Sequence, residues 1–380
     1  MERRSIVRAG LLWGGVAFLG GTRGLVEQLA AQSCEGTALG ELIATLPVHG
    51  DTARHTPYKE IVGGRGLDAR RFTDLSRLRA DRLTTATSEM FLRTAAPSAL
   101  RPTPSVWPLP LEALRRDARP MGAHLIECSG NVDPDNFGLM SVAEWDGVPL
   151  AQVLATLPAS PGSSAVLIAG FDDHEQPSRS SRPGASWVFP LDALTRLDAF
   201  LAVRMNGDVL LPDHGAPVRL VVPGWYGCSW IKWVNEIRFV GADEPVTTQM
   251  VEFSLRTHQG GVPSLARDYA PPAIDLAATP IRVEKRRVNG RLEYRIVGIV
   301  WGGDKPVDRL AIRFRAGEPP TPFSVCPAPR THRTWALWDY RWRPTEPGLY
   351  TIALSAADAT IRTRRLDVSF YVRRVVIDEV

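Results

Sequence analysis

The sequence predicts an α+β chain: a mixed α/β domain followed by an all-β sandwich of immunoglobulin type. Three observations carry this expectation. The 380 residues are enough for two domains of ordinary size, and a hydrophobic fraction of 44% supplies their cores. The 32 glycines and 31 prolines are spread along the chain, which suits many short strands and irregular loops better than long helical bundles. From about Thr247 onward apolar and polar residues alternate with period two between Gly, Pro and Asp turns, the pattern of antiparallel strands. The chain then divides into a leader over 1–33, a first domain over 34–245 and the sandwich over 246–380.

The leader begins with Arg3-Arg4, continues through a weakly apolar Ala9 to Gly21 and ends in the small-residue stretch Leu29 to Ser33. These are the three parts of a secretory signal, and the paired arginines point to the twin-arginine route into the periplasm. The apolar run falls short of the roughly 20 residues a membrane-spanning helix needs, so no stable span is expected.

In the first domain, Thr37 to Leu46 reads as a short amphipathic helix and Asp74 to Leu83 as a surface helix. Ala123 to Glu127 reads as a buried strand, Leu150 to Leu157 as a helix entered from a turn at Trp145 to Pro149, and Val166 to Gly170 as a strand. Leu191 to Ala199 is helical in pattern, and Ala202 to Leu210 passes through a turn at Gly207. In the sandwich, strands are expected at Tyr294 to Val300, Val307 to Phe314, Thr334 to Trp342, Leu349 to Leu354 and Leu366 to Val372, without a disulfide. Trp335 and Trp338 read as core or interface residues.

Composition excludes several functions. A net charge of +4, with no Lys/Arg run interleaved with aromatics, argues against a nucleic-acid groove. The four cysteines contain no C-x-x-C pair, which excludes a zinc site of ordinary spacing, a dense disulfide framework and a C-x-x-C-H haem attachment.

Two stretches carry chemistry. Pro212 to Trp233 surrounds the short apolar strand Leu220 to Val222 with Asp213, His214 and Arg219 on one side and with tryptophans and Lys232 on the other. Cationic and hydrogen-bonding groups at both ends of a buried strand point to an anionic ligand. Cys128 follows the strand Ala123 to Glu127 and opens the turn Ser129-Gly130-Asn131. As a thiolate it is a soft metal ligand or a nucleophile, and as a thiol it is a small buried hydrophobe; the residues alone leave these readings level. Arg93, after an apolar pair and before a loop, reads as a surface or ion-paired residue sooner than as a ligand contact.

Taken together, the blocks Phe91-Leu92-Arg93, Cys128 to Asn131, Glu144 to Leu150, Met205 to Arg219 and Val222 to Trp233 resemble the sulfite oxidase family of molybdenum enzymes, in family order across about 150 residues. The resemblance implies a molybdenum-molybdopterin cofactor, with Cys128 as the thiolate on the metal and His214 and Arg219 at the cofactor's phosphate. It places Lys232 at the pterin and near the substrate, and Phe91 and Ser229 among the cofactor contacts. Arg93, Trp145 and Arg365 would line the substrate pocket, with Arg362 and Arg364 close enough in sequence to compete for the last role. It further implies a small anionic sulfur substrate, a separate electron acceptor such as a cytochrome c, and a homodimer made by the sandwich.

Three departures bear on the cofactor and substrate site. Where relatives commonly carry an Arg soon after the C-x-G-N turn, this chain has Val132, Asp133, Pro134 and Asp135, and acidic groups there repel an anion. Ala95 stands where relatives carry a His, and Arg256 to Gln259 at the domain junction supplies no tyrosine to the pocket. A reductase acting on an S-oxide or N-oxide, and a silent binding module, are the alternatives that follow.

Overall fold

The computed structural model describes residues 39–49, 58–59, 70–93, 105–106, 109–131, 137–158, 161–170, 185–241, 243–245, 247, 249–250, 273–367 and 371–380, with backbone alone at 58–59, 70, 93, 105–106 and 109. The leader, Ala95, the acidic loop after Asn131 and the junction Arg256 to Gln259 lie outside the described residues.

The chain opens with β1 (Glu41–Leu46), a strand where helical periodicity suggested a helix. Its Thr and Ile favour extended backbone, and its partner lies far away in sequence: β1 pairs with β9 (Ala277–Val288) of the C-terminal region. The first described strand therefore belongs to the sandwich. The expected surface helix at Asp74 to Leu83 is only a 3-10 turn, Leu75–Arg77, whose Asp74 side chain accepts from the Ser76 backbone N–H.

The first domain is built on β2 (Arg119–Glu127), β3 (Met140–Pro149), β4 (Ala165–Gly170), β5 (Ser186–Pro190), β6 (Phe200–Met205), β7 (Arg219–Val221) and β8 (Val234–Val240). Three short helices, α1 (Leu111–Asp117), α2 (Leu150–Leu154) and α3 (Leu191–Arg196), each follow a proline or strand end and bury an apolar pair. One antiparallel sheet runs from the short strand Asp208–Val209 through β6 and β3 to β2, with β7 added to β6, and a second has the order β5-β4-β8. Glu144 to Pro149 lies within β3 rather than in a turn. Asn206 and Gly207, both at positive φ, turn β6 back on Asp208–Val209, a conformation Gly adopts freely and Asn tolerates.

The C-terminal region has two four-stranded antiparallel sheets. One is β1-β9-β10-β13, with β10 at Arg291–Trp301 and β13 at Ala336–Trp342; the other is β12-β11-β14-β15, formed by β11 (Arg309–Arg313), β12 (Thr321–Ser324), β14 (Gly348–Ala356) and β15 (Arg373–Ile377). Val283, Ile296 and Trp338 from the first sheet meet Leu310, Ile352 and Val375 from the second in one core. The last strand starts at Arg373, later than expected, because Leu366 and Asp367 form a turn. Cys326, the one cysteine in 246–380, is disulfide-bonded to a cysteine outside that stretch.

The sheet containing β9 and β10 is buried on both faces. Ile296 and Val300 point into the sandwich core, while Val297, Ile299 and Trp301 join the core of the first domain. This explains the nearly unbroken apolar run Ile296 to Trp301, which a one-sided strand does not need. The seam is also held by polar bonds: Arg282 Nη1 donates to the Leu78 carbonyl at 2.7 Å, and the Leu125 N–H donates to the Arg333 carbonyl at 2.7 Å. Among the described residues no helix is long and apolar enough to cross a membrane.

Candidate active site

The stretch from Pro212 folds as the turn chemistry of its residues dictates. Pro212 starts a 3-10 turn over Pro212–His214, and Gly215 ends it with φ 105°, a region closed to most side chains. Even apart from φ, a Cβ on Gly215 would meet Lys232 Cβ and Arg219 Cβ at 3.0 and 3.1 Å, so glycine lets the two halves of the stretch close on each other. The Trp233 indole N–H donates to the Pro212 carbonyl at 2.8 Å, and Lys232 Nζ donates to the Asp213 carbonyl at 3.0 Å.

Arg219 begins β7, whose residues are all buried, so its side chain has only the interior to enter. Its Nη1 donates to the His214 carbonyl at 3.0 Å and its Nη2 reaches the Trp230 carbonyl at 3.5 Å. The guanidinium lies over the rings of Trp145 and Trp230, 5.2 and 5.8 Å from their centroids. Among the described residues no carboxylate pairs with it, and its buried Nε has no hydrogen-bond partner. Burial alone pushes its pKa down to about 9. His214, also buried, is pushed down to about 4 by burial and then by the charges of Arg219, Lys232 and Arg71, against a smaller opposing effect of Asp213. Neutral His214 can donate from one ring nitrogen while Arg219 and Lys232 supply the positive charge.

Across the pocket stands Cys128. Alternation along β2 sends Ile126 and Cys128 to the pocket wall and Glu127 the other way. The Gly130 N–H points at Cys128 Sγ from 3.4 Å, an arrangement that favours a thiolate over a thiol. Asn131 shapes the loop, its Oδ1 accepting from the Gly138 and Leu139 N–H groups at 3.1 and 3.0 Å. Gly227 brings the second stretch close: a Cβ there would stand 3.2 Å from the Glu127 carbonyl.

One pocket is thus lined by Phe91, Cys128, His214, Arg219, Trp230 and Lys232. Five of the expected site residues, Phe91, Cys128, His214, Arg219 and Lys232, meet there. Four do not, or are not placed. Trp145 is buried behind Arg219, packed edge-on to Trp230 with ring centroids 6.0 Å apart, and supports the guanidinium instead of lining the pocket. Ser229 is buried in the 3-10 turn Gly227–Ser229, where its hydroxyl donates to the Tyr226 carbonyl at 2.8 Å. Arg365 is exposed and pairs with Asp367 at 2.8 Å, because at this point the chain turns Arg364 inward in its place. The backbone of Arg93 pairs with that of Arg70, and its side chain lies outside the described residues.

The sequence reading missed Cys228, a second pocket thiol whose pKa is raised by burial and then by nearby Cys128. It also missed Gln249, whose amide donates to the Cys228 carbonyl, and Arg71, whose Nε donates to the Met90 carbonyl at 2.9 Å behind Phe91. No spacing pattern announces such residues. Glu127 did carry a signal, since a carboxylate inside the apolar run before Cys128 requires a buried partner.

The donor set tests what the pocket can hold. Among the described residues no cluster of three His, Cys, Asp or Glu could grip a bare metal ion. A single thiolate facing the buried Arg219 guanidinium fits a soft metal carried by an anionic organic group, with the Arg219 Nε, which has no partner among the described residues, free for a phosphate oxygen.

The description "oxidoreductase molybdopterin binding domain" belongs to the family model that matches residues 109–248. An NADH nitrate reductase of Arabidopsis thaliana is 24% identical over 259 residues, covering 59% of this chain and 27% of that protein. An inducible NADH nitrate reductase of Glycine max is 35% identical over 200 residues, covering 47% of this chain and 22% of that protein. The chain spans about a quarter of the length of the curated relatives it matches. The sulfane dehydrogenase SoxCD from Paracoccus pantotrophus shares the fold, with a TM-score of 0.59 and 19% identity over 85% of this chain and 90% of that one.

Proposed function

From the premise that this chain belongs to the sulfite oxidase family of molybdopterin-dependent oxidoreductases, we propose that it oxidises sulfite or a related sulfur compound and hands the electrons to a separate acceptor. The net reaction adds one oxygen atom from water to the substrate and releases two protons and two electrons. The molybdenum-molybdopterin cofactor supplies this two-electron, oxygen-atom chemistry when bound. Cys128 would hold the metal, Arg219 and His214 the cofactor phosphate, and Lys232 the pterin edge.

The observation that carries the reading is the opposition, in one pocket, of Cys128 to the group His214, Arg219 and Lys232. Lys232 also attracts an anionic substrate, and its Nζ, held by the Asp213 carbonyl and lying 4.5 Å from the Trp233 ring centroid, is fixed before substrate arrives. Buried walls at Phe91, Ile126 and Trp230 keep bulk water from screening that charge. The likeness in fold to a sulfane dehydrogenase supports a sulfur substrate. Release of the chain into a periplasm by the twin-arginine route is part of the proposal, supported by Arg3-Arg4 and by the disulfide-bonded Cys326, since disulfides persist in oxidising compartments. A cytochrome c would be the acceptor. Exposed Leu349 and Val376, cross-strand neighbours on the outer sheet, support a homodimer made through the sandwich.

The nitrate reductases among the sequence relatives favour a second reading, reduction of an oxyanion. Steady-state assays of the molybdenum-loaded full chain separate the two. Sulfite or thiosulfate with oxidised cytochrome c should turn over, and nitrate or an S-oxide with a reduced viologen dye should not; the opposite pattern overturns the sulfur-oxidation reading.

A further inference from the structure

Directly before Cys128, the proposed metal ligand, lies a fully buried carboxylate, Glu127. Glu127 Oε1 accepts from Arg364 Nη1 at 2.8 Å and from Asn131 Nδ2 at 3.2 Å, and its Oε2 accepts from Arg364 Nη2 at 2.6 Å and from Trp301 Nε1 at 2.8 Å. Arg364 and Trp301 belong to the sandwich; Asn131 belongs to the cysteine loop. Arg364 is itself wedged over the rings of Tyr226 and Trp301, with Cζ 5.2 and 5.6 Å from their centroids, and its Nη1 also donates to the Tyr371 hydroxyl at 2.9 Å. Its planar fork matches the carboxylate in two parallel bonds, which fixes orientation as well as distance.

The bonds around Cys128 form a closed circuit through this carboxylate. The Cys128 N–H donates to the Leu139 carbonyl at 2.9 Å, and the Leu139 N–H donates to Asn131 Oδ1 at 3.0 Å. Asn131 Nδ2 then reaches Glu127, and the Asn131 N–H returns to the Cys128 carbonyl at 2.9 Å. Both backbone polar groups of Cys128 are thus fixed by a ring of bonds in which Glu127 is the member anchored to the other domain. Because successive side chains on a strand point to opposite faces, a grip on Glu127 also sets the direction of the Cβ–Sγ bond one residue on.

We infer that Glu127 is a positioning residue for Cys128, and that Arg364 makes the sandwich domain the part of the chain that aims the sulfur. The inference rests on Cys128 being the molybdenum ligand, and it is independent of the substrate. A second expectation follows from it: the first domain by itself holds the cysteine loop without its anchor.

The test uses the molybdenum-loaded full chain and reads the sulfur-to-metal charge-transfer absorption, the metal-to-protein ratio and the thermal midpoint of each variant. Arg364→Met should displace the absorption band and lower the metal ratio several-fold, and Arg364→Lys, which retains a cation for Glu127, should restore most of the band. Glu127→Gln should displace it less than Arg364→Met, since the amide keeps its shape and part of its bonding. A band in Arg364→Met that coincides with the wild type while the thermal midpoint falls overturns the inference and leaves Arg364 as domain glue. Should Arg364→Met fail to fold, Trp301→Phe removes one donor from Glu127 and keeps an aromatic ring. A smaller displacement of the same band is then expected, and an unmoved band overturns the inference equally. A wild type that retains molybdenum but turns over no sulfur compound sinks only the proposed substrate, whereas a wild type that retains no molybdenum removes the premise and the inference with it.

Discussion

Two buried arginines on opposite sides of Cys128 solve the same electrostatic problem in opposite ways. At the domain seam, Arg364 meets Glu127 in a two-bond fork, and although burial works against its charge, the facing carboxylate holds its pKa well above the ordinary range. On the pocket floor, Arg219 has two carbonyls, two indole faces and, among the described residues, no carboxylate, and its pKa is pulled down to about 9 by burial. A paired buried cation is complete within the chain. An unpaired one carries a desolvation cost of several kcal/mol that the chain itself does not offset, and an incoming anion can offset it. The seam is therefore finished architecture, and the pocket floor is left for an anion to complete, the cofactor phosphate in the function proposed above.

This contrast is broken first by removing one arginine from each side. Arg364→Met leaves Glu127 as a buried carboxylate without its ion partner and should lower unfolding stability by about 3–5 kcal/mol. Urea or thermal unfolding of the full chain reads this directly, and a loss below about 1 kcal/mol would mean that the ion pair contributes little to the seam. Adding Glu127→Gln to Arg364→Met should recover part of the loss, because both charges are then gone.

Arg219→Met should do the reverse. The cofactor-free chain is expected to be as stable as the wild type or more stable, since an uncompensated charge has been replaced by an apolar chain of similar length. Cofactor retention should fall roughly tenfold or more, as expected for the loss of charge-assisted bonds to a phosphate. Molybdenum analysis after gel filtration measures the second effect. If Arg219→Met costs stability without its ligand and keeps its molybdenum, the contrast between the two arginines is wrong.

The sequence makes these two sites unequally legible. Arg219 could be read because its neighbours form an ordered run of turn residues, apolar strand and tryptophans, local chemistry that survives in one dimension. The sandwich was legible for a similar reason, as period two is a property of each strand alone. Arg364 was not separable from Arg362 and Arg365, because which member of that group turns inward is decided by Glu127, 237 residues earlier. The stretch Glu41–Leu46 has helical periodicity yet forms a strand on the same ground: its partner Arg287 to Val283 lies at the other end of the chain, and pairing outweighs a weak local periodicity. Trp145 was placed on the substrate wall by resemblance, whereas the fold uses its ring to carry Arg219.

His124 shows a third solution, giving up the charge, and it supplies the smallest of the expected effects. It lies on β2 with its Nε2 near the Met121 carbonyl at 3.0 Å, its ring against Phe200 and its buried Nδ1 without a partner. Burial is the main cause that pushes its pKa down to about 4, against the hydrogen bond to Met121. In the unfolded chain the imidazole titrates near its ordinary value of 6.5. As pH falls below that value the unfolded state takes up a proton that the folded state refuses, so stability is present above 6.5 and is lost progressively down to about 4. At pH 5 the loss from this one group amounts to about 2 kcal/mol, while at pH 7 it is near zero. His124→Gln keeps a donor for the Met121 carbonyl and does not titrate, so its stability should match the wild type at pH 7 to within about 1 kcal/mol and fall less steeply than the wild type's, by about one proton's worth of slope, between pH 6 and pH 5. His214, shifted in the same direction, leaves a residual slope in the variant. Parallel stability curves for wild type and His124→Gln across that range would mean that His124 is protonated in the fold, and that burial at this position does not displace charge.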